Sequence, residues 1–350
     1  MSEGAVSDGL AARRPLGRTG LRVCPVGLGT MQFGWTASDV GSMRVLDAYT
    51  AAGGNLIDTA NMYGGDQSSE SFTLNRAHVG VTEDIIGRWL ASRRPDRGEL
   101  VIATKVRARM WDGPDGEGLG RAHVIRAVDD SLRRLRTDYV DVLYAHWPDP
   151  AAPAEEWLAA FGDLVAAGKV RVTGTSNFCG FAGSGDQLSP LLALADQDRR
   201  LPRVQVEQPR YSLLNRAEYE GALRAIAVRE GMGVVTYSSL AGGFLAGAVP
   251  PGQQPAGARG GHLAQYCSDA GWTLLAELER ISLAREVPVA AVSLAWLLAQ
   301  PGITAALVGP DTVAQLAAAS PAATLRLAAA ELAALTRLSW TSSVPEFVGW

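Results

Sequence analysis

The chain has 350 residues, 47% apolar and 19% charged, enough for two average domains or one large α/β barrel. Its formal charge of −4 leaves no basic footprint for nucleic acid, and the clusters Arg93/Arg94/Arg97 and Arg133/Arg134/Arg136 are interleaved with acids or apolar positions, as on solvated helix faces. Cys24, Cys179 and Cys267 lie far apart without a C-x-x-C, so neither a disulfide framework nor a zinc knuckle is suggested.

From the N-terminus, residues 1–12 are small and polar and are expected to lie outside the fold as a flexible lead. No apolar signal region occurs there, and the apolar stretch 289–299 is short of the roughly 20 residues a bilayer span needs. The expectation is a cytoplasmic protein without membrane or nucleic-acid partners, its oligomeric state open. RRPLGRTGLRVCPVGLGT then offers two short runs around the Gly17–Gly20 turn, a β-hairpin.

A rhythm follows. Strand-like runs at 26–29, 55–57, 100–104, 139–144, 170–174, 203–206, 233–236 and 305–308 alternate with helical stretches. The helices are expected near 40–52, 82–92, 121–136, 154–167, 187–199, 217–229, 289–299 and 311–319, with extra helical material at 271–286 and 325–338. Val124, Val128, Leu132 and Leu135 show the helical period, and Gly53, Gly168 and Gly231 stand just past helix ends.

Eight apolar strands, each followed by a helix, suit either an open doubly wound sheet or a closed (β/α)8 barrel. The open Rossmann type would carry G-x-G-x-x-G after its first strand. Here Gly27-Leu-Gly29 runs on into Thr-Met-Gln, and the fingerprint is absent. The pattern therefore predicts a (β/α)8 TIM barrel over 13–338, with an N-terminal hairpin, an extra C-terminal helix, and a tail at 339–350 over the barrel mouth. The Gly/Pro/Gln stretch 247–261 follows strand seven and reads as a lid on the catalytic face.

In such a barrel the C-terminal strand ends converge on one site. Strand two ends in Asp58 with Tyr63 five residues on, strand three in Lys105, strand four in His146, and strand five in Ser176-Asn177. Each alone has an ordinary structural reading: Asp58 as a turn cap, Tyr63 as a packed ring, His146 as a core histidine. Lys105 is harder to place that way, since an ammonium ending an apolar strand needs a partner, and Asp58 can supply it. Together they suggest proton transfer by a phenol. Free tyrosine ionises near pH 10, a nearby ammonium lowers that value, and an imidazole can orient a substrate oxygen.

The stretches GRTGLRVCPVGLGTMQFG, NLIDTANMYG, LVIATKV, SLRRLRTDYVDVLYAHWPD, GKVRVTGTSNF, VQVEQPRYSLLNR and VVTYSSLAGGFLAG give the chain a resemblance to the aldo-keto reductases over essentially its whole length. The resemblance implies a nicotinamide cofactor held without a Rossmann fold, with NADPH the first expectation and NADH the alternative. It implies that Tyr63 is the general acid, tuned by Lys105 paired with Asp58, while His146 orients the carbonyl of a small-molecule substrate. Ser176, Asn177 and Gln205 fall on its carboxamide-binding positions, Tyr237 on its ring-stacking position, and Ser238, Leu240 and Gly242 on its pyrophosphate clamp. Gly309 and Gln315 follow strand eight in register.

Two departures stand out. After strand eight, Ala318 and Ala319 occupy the usual Glu/Asn positions, and Asp311 lies where a cation would meet a 2′-phosphate; Arg259 is the candidate to reach over instead. The segment after Tyr63, GGDQSSESFTLNRAHVG, is longer and more polar than the family's short connection, reading either as a surface insertion or as an extra wall for a larger substrate.

Trp35, Trp111 and Trp147 follow strand ends and are expected at the substrate mouth, with Phe33 near them, Arg107 and Arg109 on the rim, and Phe347 and Trp350 at the chain end. A mouth with aromatic faces and guanidinium groups suits a keto-sugar or an acidic carbonyl compound. Reduction of a conjugated C=C shares the same hydride delivery. The rival from another class is a non-catalytic, cofactor-sensing subunit of the kind that associates with ion channels. A metal-dependent hydrolase is the third reading, against which His78, His123, His146 and His262 show no ligand spacing.

Overall fold

The computed structural model of the protein describes residues 6–64, 79–179, 185–257 and 260–339. Two short strands, β1 (Arg14–Pro15) and β2 (Arg22–Val23), form the expected hairpin, with Arg14 opposite Val23. Its turn is pressed against the barrel: a Cβ on Gly17, whose φ is +55°, would sit 2.3 Å from the backbone nitrogen of Gly233. Only glycine fits there.

Eight parallel strands then close on themselves: β3 (Val26–Gly29), β4 (Leu56–Asp58), β5 (Val101–Val106), β6 (Val140–Ala145), β7 (Val170–Ser176), β8 (Val206–Gln208), β9 (Gly233–Thr236) and β10 (Ala305–Val308). Each pairs with the next, and β10 returns to β3 with Ala306 opposite Val26. Successive side chains on a strand face opposite ways. Leu56, Val101, Ala103, Val142, Tyr144, Val172, Val206, Val235, Ala305 and Leu307 form one buried cluster, the barrel interior, into which Leu16, Leu21 and Val23 of the hairpin pack. Their strand neighbours Ile57, Ile102, Leu143, Val234 and Ala306 join the larger cluster under the helices.

The interior is a filled core, as such barrels require. Tyr144 occupies the space that a side chain at Gly174 would need, its ring carbons 2.6 Å from where that Cβ would stand. The wall also carries acids, each with partners. Asp141, fully buried on β6, accepts from the Ile102 amide at 2.9 Å and pairs with Arg97 and Arg171 at 2.8 and 2.6 Å.

Helices α1 (Asp39–Ala51), α2 (Val81–Arg93), α3 (Arg121–Leu135), α4 (Ala154–Ala166) and α5 (Leu188–Gln197) follow their strands as expected. The helix predicted over 217–229 is divided at Gly221 (ψ −131°) into α6 (Ala217–Glu220) and α7 (Ala222–Glu230). After β9 come a 3₁₀ turn (Ala241–Ala246), α8 (Gly260–Ala264), α9 (Asp269–Arg285) and α10 (Val289–Leu298); α11 (Val313–Ala319) and α12 (Ala329–Leu338) complete the set. Ser38, Ser268 and Thr312 cap α1, α9 and α11 with their side-chain oxygens. Helix α10 is apolar all round because nine of its residues are buried. Among the described residues no single helix is long and apolar enough to cross a membrane.

The N-terminal lead departs from its expectation. Asp8–Ala11 form a 3₁₀ turn whose Leu10 is fully buried, and the Ser7 amide donates to Ser320 Oγ at 2.9 Å. Within residues 6–12 the buried Leu10 and the Ser7–Ser320 hydrogen bond hold the segment to the barrel. The tail at 340–350, with Phe347 and Trp350, and Arg259 lie outside the described residues, as does 65–78 of the polar insertion.

Leu16 is fully buried at the hairpin end of the barrel, away from the strand ends that carry polar groups. Leu16→Ala is expected to lower unfolding free energy by about 2–5 kcal/mol, the cost of a core cavity. Urea denaturation measures it, and a loss under about 1 kcal/mol would show that the hairpin does not fill the interior.

Candidate active site

The strand period that fills the barrel also aims its top layer. Asp58 is two residues beyond the inward Leu56, Lys105 two beyond Ala103, His146 two beyond Tyr144, Ser176 two beyond Gly174, and Tyr237 two beyond Val235. Inward parity at the C-terminal strand ends therefore collects these groups above the apolar core.

Lys105 is 1% exposed, and its three donors are all used. Nζ contacts Asp58 Oδ1 and donates to the Thr59 carbonyl at 2.8 Å and to the Tyr63 hydroxyl oxygen at 3.3 Å. Burial works against the Lys105 charge, but Asp58 and Tyr63 prevail, and the ammonium is held above its ordinary value. Burial pushes the Asp58 carboxyl up, with Lys105 and Gln208 opposing; Oδ2 accepts from Gln208 Nε2 at 2.8 Å.

Tyr63 differs from the expectation of a lowered phenol. Burial raises it above its ordinary value, outweighing the opposing pull of Lys105, so the hydroxyl stays protonated at neutral pH. Its wall is apolar, formed by Ala60, Met62 and Ala108 with Met31 and Trp147. The His146 ring stands 5.9 Å from that of Tyr63 at 75°. Burial, then Lys105 and Arg107, hold His146 well below its ordinary value, so it is a neutral imidazole.

Across the mouth, Ser176 Oγ donates to the Gln208 carbonyl at 2.7 Å, and Asn177 Nδ2 to the His146 carbonyl at 3.0 Å. Asn177 Oδ1 accepts from the Tyr237 hydroxyl at 2.9 Å. Gln205 is not part of this layer. It precedes β8 at the hairpin end, where its amide donates to Thr173 and its carbonyl accepts from Gly233. The carboxamide at the top belongs to Gln208, two residues beyond the inward Val206, and that parity was the signal in the sequence that distinguishes them.

Ser238, Ala241, Gly242 and Gly243 all have positive φ, winding the backbone tightly after β9. Leu240, partly buried, packs on the core and starts the 3₁₀ turn. Beside it lies a cavity of about 400 Å³ lined by Thr36, Gly242, Val249, Gln253, Pro255 and Asp311. Asp311 accepts a hydrogen bond from Thr36 across this cavity's rim. Gln315 Oε1 accepts from the Asp311 amide at 2.6 Å, so it braces its own loop. Gly309 is backed by Gln32, whose Nε2 donates to the Gly29 and Pro310 carbonyls at 3.1 and 3.0 Å. Gln32, unremarked in the sequence, ties the two ends of the barrel seam.

The tryptophans separate. Trp147 packs at 4.6 Å from the His146 ring and joins the Tyr63 wall. Trp111 contacts α3, stacked 4.9 Å from His123 with the Arg126 guanidinium 4.0 Å from its ring centre. Trp35 lies partly exposed in the β3–α1 loop, next to Thr36. Among the described residues no group of His, Cys, Asp or Glu could hold a metal ion.

The chain belongs to the aldo/keto reductase family, whose model matches residues 25–339, and it is an NAD(P)H-dependent oxidoreductase. It is 37% identical over 308 residues to a Bacillus subtilis (strain 168) protein named "Uncharacterized oxidoreductase YrpG", covering 86% of this chain and 87% of that one. It is 34% identical over 320 residues to "Protein tas" of Escherichia coli (strain K12), covering 85% and 88%. It is also 30% identical over 304 residues to a "Probable voltage-gated potassium channel subunit beta" of Oryza sativa subsp. japonica, covering 84% and 85%.

Glu207 was missed by sequence reasoning. Facing outward on β8, it accepts from Thr175 Oγ1 and, at 3.1 Å, from the Phe178 amide, spanning the Ser176–Asn177 turn where Asn177 adopts φ +67°. Burial pushes its carboxyl up to about 7, against both hydrogen bonds. A carboxyl that ionises later in the folded than in the unfolded state stabilises fully below about pH 4.5, and that contribution is lost as pH rises through 7. Relative to Glu207→Gln, the wild type is therefore expected to lose on the order of 3 kcal/mol between pH 4.5 and 8. Paired urea titrations at the two pH values read this directly, and parallel behaviour of the two proteins would mean the carboxylate is charged throughout.

Proposed function

We propose that the protein reduces the carbonyl of a small polar aldehyde or ketone, with Tyr63 giving the proton to the carbonyl oxygen. The observation that carries this reading is the contact between Lys105 and the Tyr63 hydroxyl. An ammonium has only donors, so the phenol oxygen must accept from it, leaving the phenolic hydrogen to point elsewhere. The remaining direction is the mouth between Tyr63 and His146.

A reduced nicotinamide, when bound, supplies hydride to the carbonyl carbon. Negative charge then builds on the carbonyl oxygen, and this chain meets it with two neutral donors, the Tyr63 phenol and the His146 imidazole. Proton loss from Tyr63 would leave a phenolate 3.3 Å from Lys105 Nζ, whose charge offsets it. Asp58 and Gln208 keep that ammonium in place. The apolar wall of Met31, Met62, Ala108 and Trp147 excludes water from the transfer.

The residues present suit a nicotinamide dinucleotide. Ser176, Asn177 and Gln208 offer hydroxyl and carboxamide groups, Tyr237 a flat ring, and the positive-φ run at Ser238–Gly243 the kind of concave backbone that receives phosphates on its amides. Of the two cofactors, NADPH remains the family expectation, and Asp311 on the 400 Å³ cavity supports NADH as the alternative. The alternative reading, a non-catalytic cofactor-sensing subunit, leaves the buried Lys105–Asp58–Tyr63 arrangement without a task.

Tyr63→Phe removes one hydroxyl and is expected to lower kcat by at least ~10²-fold while the cofactor Kd, read by tryptophan quenching, changes less than about threefold. Turnover within threefold of wild type would take the acid role from Tyr63. At the other end of the site, Asp311→Arg exchanges repulsion of a 2′-phosphate for a charge-assisted contact. The ratio of NADH to NADPH dissociation constants should rise roughly tenfold to a hundredfold. No change in that ratio at fixed ionic strength would mean that residue 311 does not meet the phosphate.

A further inference from the structure

Arg107 leaves β5 two residues after Lys105, and nothing in the reduction described above uses it. Its side chain is 24% exposed, and its Nε is buried without a hydrogen-bond partner. The nearest acid, Asp149, stands 3.9 Å from Nη2, beyond hydrogen-bond reach. Asp149 is already engaged, accepting from the Ala151 amide at 3.1 Å and the Leu119 amide at 2.7 Å. The guanidinium instead lies with Cζ 5.0 Å from the centre of the Trp147 ring, and Trp147 packs on His146. Its charge reaches far enough to disfavour protonation of His146.

A mostly buried guanidinium without an acceptor is costly, and its fork matches a carboxylate or phosphate. The backbone supports the same point: Arg107 has φ +149°, rare for a residue with a side chain, and its carbonyl is held by the Gly118 amide at 2.7 Å. On the other side of the mouth, Asn177, Gln208 and Tyr237 are neutral, and Lys105 is neutralised by Asp58. Among the described residues Arg107 is therefore the cation beside His146, on the Trp147 side, whose ion pair is too long for a hydrogen bond.

We propose that Arg107 is a specificity-determining residue that binds an anionic group of the substrate, so that this enzyme prefers carbonyl compounds carrying a carboxylate or phosphate. The proposal rests on the reductase reading of the Tyr63 site. Trp147 gives the substrate body a flat apolar wall, and Arg107 anchors its charged end over that wall.

The test compares 2- and 4-carboxybenzaldehyde with their methyl esters, using the full chain with NADPH or NADH, whichever binds more tightly. The wild type should favour the better acid over its ester by at least about tenfold in kcat/KM. In Arg107→Met that ratio should fall to near one, and Arg107→Lys should retain part of it. Because both substrates are read on the same preparation, the ratio is insensitive to a general loss of folded protein. Esters reduced as well as acids by the wild type, or an acid preference that survives Arg107→Met, would overturn the proposal and leave the reductase reading standing. Failure of the wild type to reduce any of the four compounds would overturn both.

Discussion

The buried pair of Lys105 and Asp58 is the constraint on which the site depends. An ammonium with 1% exposure stays charged only if every donor has an acceptor and a carboxylate is adjacent. The barrel meets both demands by geometry. Neighbouring strands β4 and β5 pair with Asp58 opposite Ala103, which sets Lys105 diagonally beyond the carboxylate and on the same inward parity. The Thr59 carbonyl and the Tyr63 hydroxyl then complete the shell. Removing either charge would strand the other in an apolar interior, a loss of several kcal/mol. The same pair fixes the polarity of Tyr63, because a donor-only partner allows the phenol one role as acceptor and leaves its proton for the mouth.

Much of this was legible in the sequence, and for a specific reason. In a parallel barrel the apolar runs are long, the period is two, and the polar residue that ends each run has one place to go. Asp58, Lys105 and His146 were readable as a set because each closes a Val/Ile/Leu/Ala-rich run, and Ser176 ends the strand that follows. Gln205 went wrong because β8 is short. The resemblance places the carboxamide on Gln205 within the run 203–206, whereas β8 begins only at Val206 and leaves Gln205 below it and Gln208 at the top. The packing of Trp111 was illegible for a different reason: it contacts His123 and Arg126, contacts between a loop and a helix that no periodicity announces. Glu207 was invisible because an outward acid on a strand ordinarily reads as solvent-facing, and here it is fully buried against Thr175 and the Phe178 amide.

Glu207 and the Lys105 pair illustrate two ways of keeping acids inside a wall of apolar side chains. Asp58 has a full charge beside it, which opposes the burial that pushes its carboxyl up. Glu207 has only a hydroxyl and an amide as donors, which do not offset its burial, and its carboxyl rises to about 7. What Glu207 secures is conformation. By accepting from Thr175 and Phe178 it brackets Asn177, whose φ of +67° would otherwise relax, and Asn177 in turn links the His146 carbonyl to the Tyr237 hydroxyl. The strain at one residue is thus held by hydrogen bonds from the strand beneath it.

The charge layout follows from these arrangements. At the strand ends, Lys105 is cancelled by Asp58, Arg210 by Glu218 at the β8 exit, and the groups on the β7–β9 side are neutral dipoles. A pair of opposite charges in contact projects little field beyond its own neighbourhood, whereas a single charge in a low-dielectric cleft is felt across it. Arg107 brings positive charge to the Trp147 side of the mouth, its ion pair with Asp149 being out of hydrogen-bond reach, and Asp311, bonded to Thr36, lies on the cavity after β9. Selectivity at the two ends can consequently be changed by single substitutions that leave the proton-transfer core between them untouched.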